Sequence, residues 1–157
     1  MLQPNKKLTT RKTGGTFAIV ASRYNVRYVD AMLRAARTEL ARVGAAIQVV
    51  RVPGAYEIPV VVVRLARASQ PPLAGIICLG VILRGATTHA QHIGEAVSEA
   101  LMRIQIQFEV PVIHEVLLLE NEAQARERCL GEEINRGTEA ARVAIRMIQA
   151  LAEAKGR

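Results

Sequence analysis

The stretch Leu73-Ala74-Gly75-Ile76-Ile77-Cys78-Leu79 is short, apolar throughout and rich in β-branched residues. Such a run is typical of a strand that is buried on both faces of a parallel sheet. Further along, Thr88 and Gln91 form a capping-box pattern. Apolar residues at helical spacing follow: Ile93, Val97, Ala100, Leu101, Ile104 and Phe108. We therefore predict that a buried strand leads through the turn Arg84-Gly85-Ala86-Thr87-Thr88-His89 into an amphipathic helix.

The same alternation of strand and helix extends in both directions from this segment. The further predicted elements are a strand over 17–21, a helix ending at Gly44, a strand over 46–50, a strand over about 110–119, a helix from an Asn121 cap to Cys129 and a helix over about 134–154. This rhythm predicts an α/β fold, a three-layer αβα sandwich around a four-stranded parallel sheet.

Residues 57–68 give conflicting signals. The four valines at 60–63 favour a strand. Pro59, in contrast, suits the first position of a helix, and Leu65-Ala66-Arg67-Ala68 continues in helical fashion. Propensity alone leaves both possibilities open.

Length and composition predict a single soluble domain. The 157 residues suffice for a core without disulfides. Residues 1–15 are polar and basic and are expected to form a flexible arm before a domain over 16–157. Cys78 and Cys129 form no metal or disulfide pattern, and we find neither a signal peptide nor a membrane span. We therefore expect a cytoplasmic protein.

The net charge of +7 favours anionic ligands. Nucleic acid is disfavoured as the main ligand because Trp is absent and there are only 3 Tyr and 2 Phe to stack on bases. Of the many arginines, Arg126, Arg128 and Arg136 are candidates to hold a phosphate, although charged helix faces usually just contact solvent. Motifs of serine hydrolases, P-loop nucleotidases and Rossmann dehydrogenases are absent from the sequence.

Ligands of such sheets bind beyond the carboxyl ends of the strands, where residues 22–25, 53–57 and 80–89 are predicted to lie. The small residues at 85–88 and the following helix start suit a phosphate group, although capped helices are also common without a ligand. His89 is a candidate general acid/base, or else a surface histidine. His89 and His92 share a helical face, but a third metal ligand at a suitable spacing is missing from the sequence.

Several segments in order resemble the 6,7-dimethyl-8-ribityllumazine synthase family. They are Ser22-Arg23-Tyr24-Asn25, Val52-Pro53-Gly54-Ala55-Tyr56-Glu57-Ile58-Pro59, Leu79-Gly80 with the turn at 84–89, Val110-Pro111-Val112 and Glu127-Arg128. The resemblance covers nearly the whole chain from residue 16. It implies a flavodoxin-like topology, and it implies a helix over residues 57–68.

The reaction implied by this resemblance is the penultimate step of riboflavin synthesis. There, 5-amino-6-(D-ribitylamino)uracil condenses with 3,4-dihydroxy-2-butanone 4-phosphate to 6,7-dimethyl-8-ribityllumazine, releasing phosphate and water. Neither a cofactor nor a metal is implied. Homo-oligomerisation is implied, as a pentamer or a pentamer-based icosahedral shell, and riboflavin synthase is a further partner to expect.

The resemblance also assigns roles to residues. His89 matches the catalytic histidine. The residues that match substrate-binding positions are Tyr24, Ala55, Tyr56, Glu57, Val81, Ile82, Leu83, Ala86, Thr87, His114 and Arg128. Arg136 stands where lysine is usual, and Glu139 stands where an acid can orient the histidine. His114 departs from the usual Phe, which in the family reaches the substrate ring from a neighbouring subunit. The segment 131–137 replaces a more basic turn that is associated with shell geometry.

Two other functions remain open at this point. One is a binding module of similar fold that retains a flavin precursor without catalysis. The other is a shell or scaffold protein whose basic arm carries an anionic cargo.

Overall fold

The computed structural model describes residues 14–155 and contains four strands and five α-helices in that part of the chain. The strands are β1 (Thr16–Ser22), β2 (Ala46–Val52), β3 (Gly75–Leu83) and β4 (Val112–Leu119). The helices are α1 (Val26–Arg42), α2 (Ile58–Ala68), α3 (His89–Phe108), α4 (Glu122–Cys129) and α5 (Arg136–Glu153), with a 3-10 turn at Ala55–Glu57 before α2. The strands are parallel in the order β2-β1-β3-β4, which confirms the predicted fold class and flavodoxin-like topology.

Two apolar cores lie on opposite faces of the sheet. Helices α1, α4 and α5 cover one face, and α2 and α3 cover the other. Strand β3 is central, and its residues from Gly75 to Ile82 are all buried, as its continuous apolar run predicts. The three layers place the carboxyl ends of β1, β2 and β3 beside the start of α3.

The valine run at 60–63 is helical, as the resemblance predicted. Within α2, Ile58 and Val62 are fully buried, whereas Val60 is 63% exposed. Because residues four apart lie on one helical face, this segment buries an apolar stripe against the sheet. Tertiary burial therefore overrides the strand propensity of valine in this segment.

The start of α3 differs in detail from the prediction. The helix begins at His89, as expected, but the side chain of Thr88 makes no capping hydrogen bond. Its backbone, at φ −78° and ψ 2°, is outside the extended region that favours capping. Gln91 donates to the carboxylate of Glu95 instead, at 2.9 Å. The predicted capping box is therefore wrong.

Other boundaries follow from local hydrogen bonds. Asn121 caps α4 as predicted, because its side chain accepts the N–H of Gln124 at 2.9 Å. Helix α5 begins at Arg136, two residues later than predicted, because Asn135 caps it by accepting the N–H of Gly137 at 2.8 Å. The expected arm at 1–15 lies almost wholly outside the described residues, and the division into arm and domain stays a prediction.

Candidate active site

A cavity of about 880 Å³ lies at the carboxyl edge of the sheet. It is bounded by the loop after β1, the 3-10 turn, the end of β3 and the first turns of α3. Its lining residues are Tyr24, Asn25, Gly54, Ala55, Tyr56, Glu57, Val81, Ile82, Leu83, Gly85, Thr87, His89, Ala90, His92, Ile93 and Ala96. Most of the residues predicted to bind substrate therefore share one cavity.

Asn25 holds the loop after β1, which carries Tyr24, against the end of β3. Its backbone is left-handed, at φ 54°, a conformation that asparagine tolerates better than most residues. Its amide Nδ2 donates to the carbonyl of Val81 at 2.7 Å. Strand β1 pairs with β3 only as far as Leu79, so this side chain supplies a donor beyond the last paired residue of β1. The ring of Tyr24 is 73% exposed beside the cavity.

The loop after β2 forms the second wall. The N–H of Tyr24 donates to the carbonyl of Pro53 at 3.1 Å, which joins the two loops. The carboxylate of Glu57 accepts the N–H of Gly54 at 2.9 Å. A Cβ on Gly54 would lie 2.9 Å from that carboxylate, so a larger residue would displace the Glu57 side chain. These contacts hold the loops after β1 and β2 together at the carboxyl edge of the sheet.

The third wall is the N-terminus of α3. The side chain of Thr88 makes no capping hydrogen bond to this turn, and the N–H of His89 makes a long contact of 3.4 Å with the hydroxyl of Thr87. Unpaired N–H groups and the partial positive charge of a helix start suit an anion. Ala86 is exposed on this same turn but is not among the cavity's lining residues.

Two histidines face this cavity. His89 and His92 both line it, and Nε2 of His92 lies 3.3 Å from the hydroxyl of Thr88. Within the described part of the chain they belong to no group of three or more metal-ligating side chains. An exposed imidazole at this position can donate a proton to a bound molecule or accept one from it.

The remaining predicted residues lie elsewhere in the same chain. The charged cluster on the α4 and α5 face, across the sheet from α3, consists of Arg128, Arg136 and Glu139 together with Glu115, which was not predicted. Nε of Arg136 lies 3.3 Å from Glu115, and Nη1 of Arg136 lies 2.8 Å from Glu139. Arg128 is exposed at the end of α4. Within one chain, then, Glu139 contacts Arg136, and its predicted role toward a histidine stays a prediction.

Glu115 is the most strongly perturbed carboxyl group of this charged cluster. Burial raises its pKa to about 7; Arg136 and Arg128 lower the pKa, and Glu139 raises it. Burial also raises the pKa of the neighbouring Cys129 to about 11. Neither Oε2 of Glu115 nor Nε of Arg136 has a hydrogen-bond partner among the described residues. The contact between them is therefore an ion pair without a hydrogen bond.

His114 faces α3 from the edge strand β4. The N–H of Val116 donates to its Nδ1 at 3.1 Å, so Nε2 carries the proton of the neutral ring. That nitrogen lies 2.7 Å from the hydroxyl of Ser98, which donates in turn to the carbonyl of Gly94 at 2.7 Å. Burial lowers the pKa of His114, which favours the same neutral form. The imidazole is thus fixed against its own chain and does not line the cavity.

Sequence reasoning missed Asn25 and His92 as lining residues. Asn25 belongs to a segment that carried the resemblance, and its left-handed backbone gives no signal in sequence. His92 was considered only as a partner of His89 for a metal, although its spacing of three residues already placed both on one helical face.

None of the helices within residues 14–155 is long and apolar enough to cross a membrane. The protein is similar to a de novo designed Rossmann fold protein at 14% identity, with a TM-score of 0.35 over 71% of this chain and 90% of that chain. This likeness is too low to support an argument.

Similarity in sequence is far closer. Residues 14–152 match the family model described as 6,7-dimethyl-8-ribityllumazine synthase. A protein of that name from Stenotrophomonas maltophilia (strain R551-3) is 44% identical over 86% of this chain and 88% of its own length. Another from Xanthomonas campestris pv. campestris (strain B100) is 43% identical over 88% of this chain and 90% of its own length. This chain therefore belongs to the 6,7-dimethyl-8-ribityllumazine synthase family.

Proposed function

We propose that the cavity is the site where this transferase condenses 5-amino-6-(D-ribitylamino)uracil with 3,4-dihydroxy-2-butanone 4-phosphate, the penultimate step of riboflavin biosynthesis. The observation that carries the proposal is the convergence of Tyr24, the 3-10 turn and the start of α3 on one cavity of about 880 Å³. That volume is within the range of ordinary small-molecule sites.

The uracil is assigned to the walls formed by the loops after β1 and β2. Tyr24 is exposed and presents an aromatic face on which a pyrimidine can stack. Ala55, Tyr56 and Glu57 are assigned to the ring and its ribityl chain. The backbone of residues 81–83, at the end of β3, offers amide groups to the edge of the ring.

The phosphate is assigned to the start of α3. Ala86 and Thr87 lie on the turn before the helix, where unpaired N–H groups attract an anion. Arg128 is assigned as the arginine that pairs with this phosphate. The arginine and the helix start would then both attract the phosphate dianion.

His89 is assigned to proton transfer. The 5-amino group of the uracil attacks the ketone to form an imine with loss of water, and phosphate then leaves by elimination. The ribitylamine nitrogen attacks the remaining carbonyl and closes the ring with loss of a second water. General acid/base help contributes about 10²–10⁴-fold, whereas holding two substrates in register can contribute about 7–11 kcal/mol. Positioning therefore outweighs proton transfer in this proposal.

A second copy of the chain is assigned the rest of the site. His114, Arg128, Arg136 and Glu139 do not line the cavity of their own chain. In a ring of identical subunits, one face of each copy meets a different face of the next, so these residues can complete a neighbouring cavity. We propose a pentamer, alone or within an icosahedral shell, that works in the cytoplasm and passes its product to riboflavin synthase.

The direct test is incubation of purified protein with both substrates, followed by the absorbance and fluorescence of the lumazine. We expect product to form at a rate proportional to protein. Tight retention of a flavin precursor without turnover would instead support a binding module. Particle sizing with an absorbance ratio for nucleic acid tests whether an anionic cargo is carried.

A further inference from the structure

Glu115 is one of two buried carboxylates among the described residues; the other is Glu39. Glu115 is 5% exposed in the middle of β4, with its side chain in the layer of α4 and α5. An ionised carboxylate is unfavourable in such a place unless cations compensate it. The charged groups around Glu115 therefore determine whether its carboxyl group is ionised.

The charges that face Glu115 come from two helices. Helix α5 supplies Arg136 and Glu139, and α4 supplies Arg128 next to the buried thiol of Cys129. Arg136 lies 3.3 Å from Glu115 through Nε and 2.8 Å from Glu139 through Nη1. With both carboxylates ionised, two negative charges offset two arginines. The charged cluster then has no net positive charge to offer a phosphate.

We propose that Glu115 competes with the phosphate group for Arg136: ionised, it withholds the guanidinium, and protonated, it releases it. This inference rests on the proposed function, which assigns Arg128 to the phosphate. Neutralising Glu115 leaves two arginines against one carboxylate and gives the charged cluster a net charge of +1. Binding of the phosphate and uptake of a proton by Glu115 are then coupled.

The geometry and the titration of Glu115 support the coupling. Because the buried Nε of Arg136 and Oε2 of Glu115 lie 3.3 Å apart and neither has a hydrogen-bond partner among the described residues, only their charges hold the guanidinium toward Glu115, and neutralising Glu115 removes that attraction. Burial raises the pKa of Glu115 to about 7, so the residue changes charge near neutral pH. Affinity for the anion falls as pH rises through this value.

Sulfate is the probe, because its charge is constant over this pH range whereas a phosphate group itself titrates. Sulfate binding is measured by calorimetry from pH 5.5 to 8.5. We expect the dissociation constant of the unaltered protein to rise by about tenfold, within the range usual for coupled sites. In Glu115→Gln the affinity should stay high and nearly independent of pH.

The matched control is Glu39→Gln, which removes the other buried carboxylate and its 2.9 Å pair with Arg142. It should keep the pH dependence of the unaltered protein. The proposal is overturned if Glu115→Gln keeps that dependence, or if sulfate does not bind at any pH. If Glu115→Gln does not fold, the test is the uptake of protons by the unaltered protein when it binds sulfate near pH 7. This uptake is measured by calorimetry in buffers of different ionisation enthalpy, and its absence overturns the proposal. Lumazine formation is scored separately, so the proposed function can fail or stand independently.

Discussion

Replacing Asn25 by alanine or glycine separates two contributions to the stability of the loop beside the cavity, the side-chain hydrogen bond of Asn25 and its left-handed backbone. Both changes remove the amide that donates to the carbonyl of Val81 at 2.7 Å. Only alanine adds the cost of a Cβ at a left-handed φ of 54°. Glycine adopts this conformation freely and serves as the matched control.

The expected magnitudes follow from these two contributions. Val81 is 2% exposed, so its carbonyl loses its hydrogen bond from Asn25 with little solvent to replace it, which costs about 1–3 kcal/mol. The left-handed conformation costs alanine about 1–2 kcal/mol more. We expect Asn25→Gly to lower the free energy of unfolding by about 1–3 kcal/mol, and Asn25→Ala by about 1–2 kcal/mol beyond that.

The assay is urea unfolding at a fixed protein concentration, because oligomerisation makes apparent stability depend on concentration. In the lumazine assay both variants should raise the KM for the uracil more than they lower kcat, since Asn25 lies next to Tyr24. Equal stability of the two variants would refute the argument from backbone conformation. Stability within 0.5 kcal/mol of the unaltered protein in both would refute the argument from the hydrogen bond.

Three further predictions concern other parts of the molecule. His89→Ala should form lumazine about 10²–10⁴-fold more slowly yet measurably, and a total loss of product would contradict the primacy of positioning. Because the pKa of Glu115 rises on folding from 4.5 to about 7, the folded protein binds more protons in this window and loses stability as pH rises through it. The free energy of unfolding of Glu115→Gln minus that of the unaltered protein, measured by urea titration, should therefore be about 2–3 kcal/mol larger at pH 8 than at pH 5. Gly137→Ala should destabilise the fold by at least about 3 kcal/mol in the same assay, because the new Cβ would overlap the backbone carbonyl of Met32. Gly94→Ala is the control, because its Cβ meets only ordinary contacts at 3.6 Å.

Sequence patterns predicted the order and type of the elements because α1, α3 and α5 have apolar residues at helical spacing and β3 is a continuous apolar run. Helix α4 has no clear apolar stripe and was marked by its Asn121 cap instead. The valine run at 60–63 is the exception, since its helical state depends on burial of Ile58 and Val62 against the sheet. The predicted capping box at Thr88 was wrong because residue type alone does not determine backbone conformation. Two residues of suitable type were present, but the backbone of Thr88 has a conformation in which its side chain does not cap.

The site was predictable to the extent that it lies at the carboxyl edge of a parallel sheet. Periodicity placed the loops, and the resemblance supplied the roles proposed for Tyr24, Thr87 and His89. Contacts between distant segments were not predictable. The bond from Asn25 to Val81 and the burial of Glu115 beside Arg136 depend on tertiary packing, which no local pattern encodes.

The central claim is that one copy supplies the cavity and its neighbour supplies the charged cluster. Its most direct test mixes His89→Ala with Arg128→Ala, unfolds and reassembles them together at equal amounts, and measures lumazine formation. If sites are shared in a ring, about a quarter of the interfaces join an intact cavity to an intact charged cluster, so activity should recover to about a quarter of the unaltered protein's. Activity that equals the mean of the two separate variants would contradict a site shared between copies.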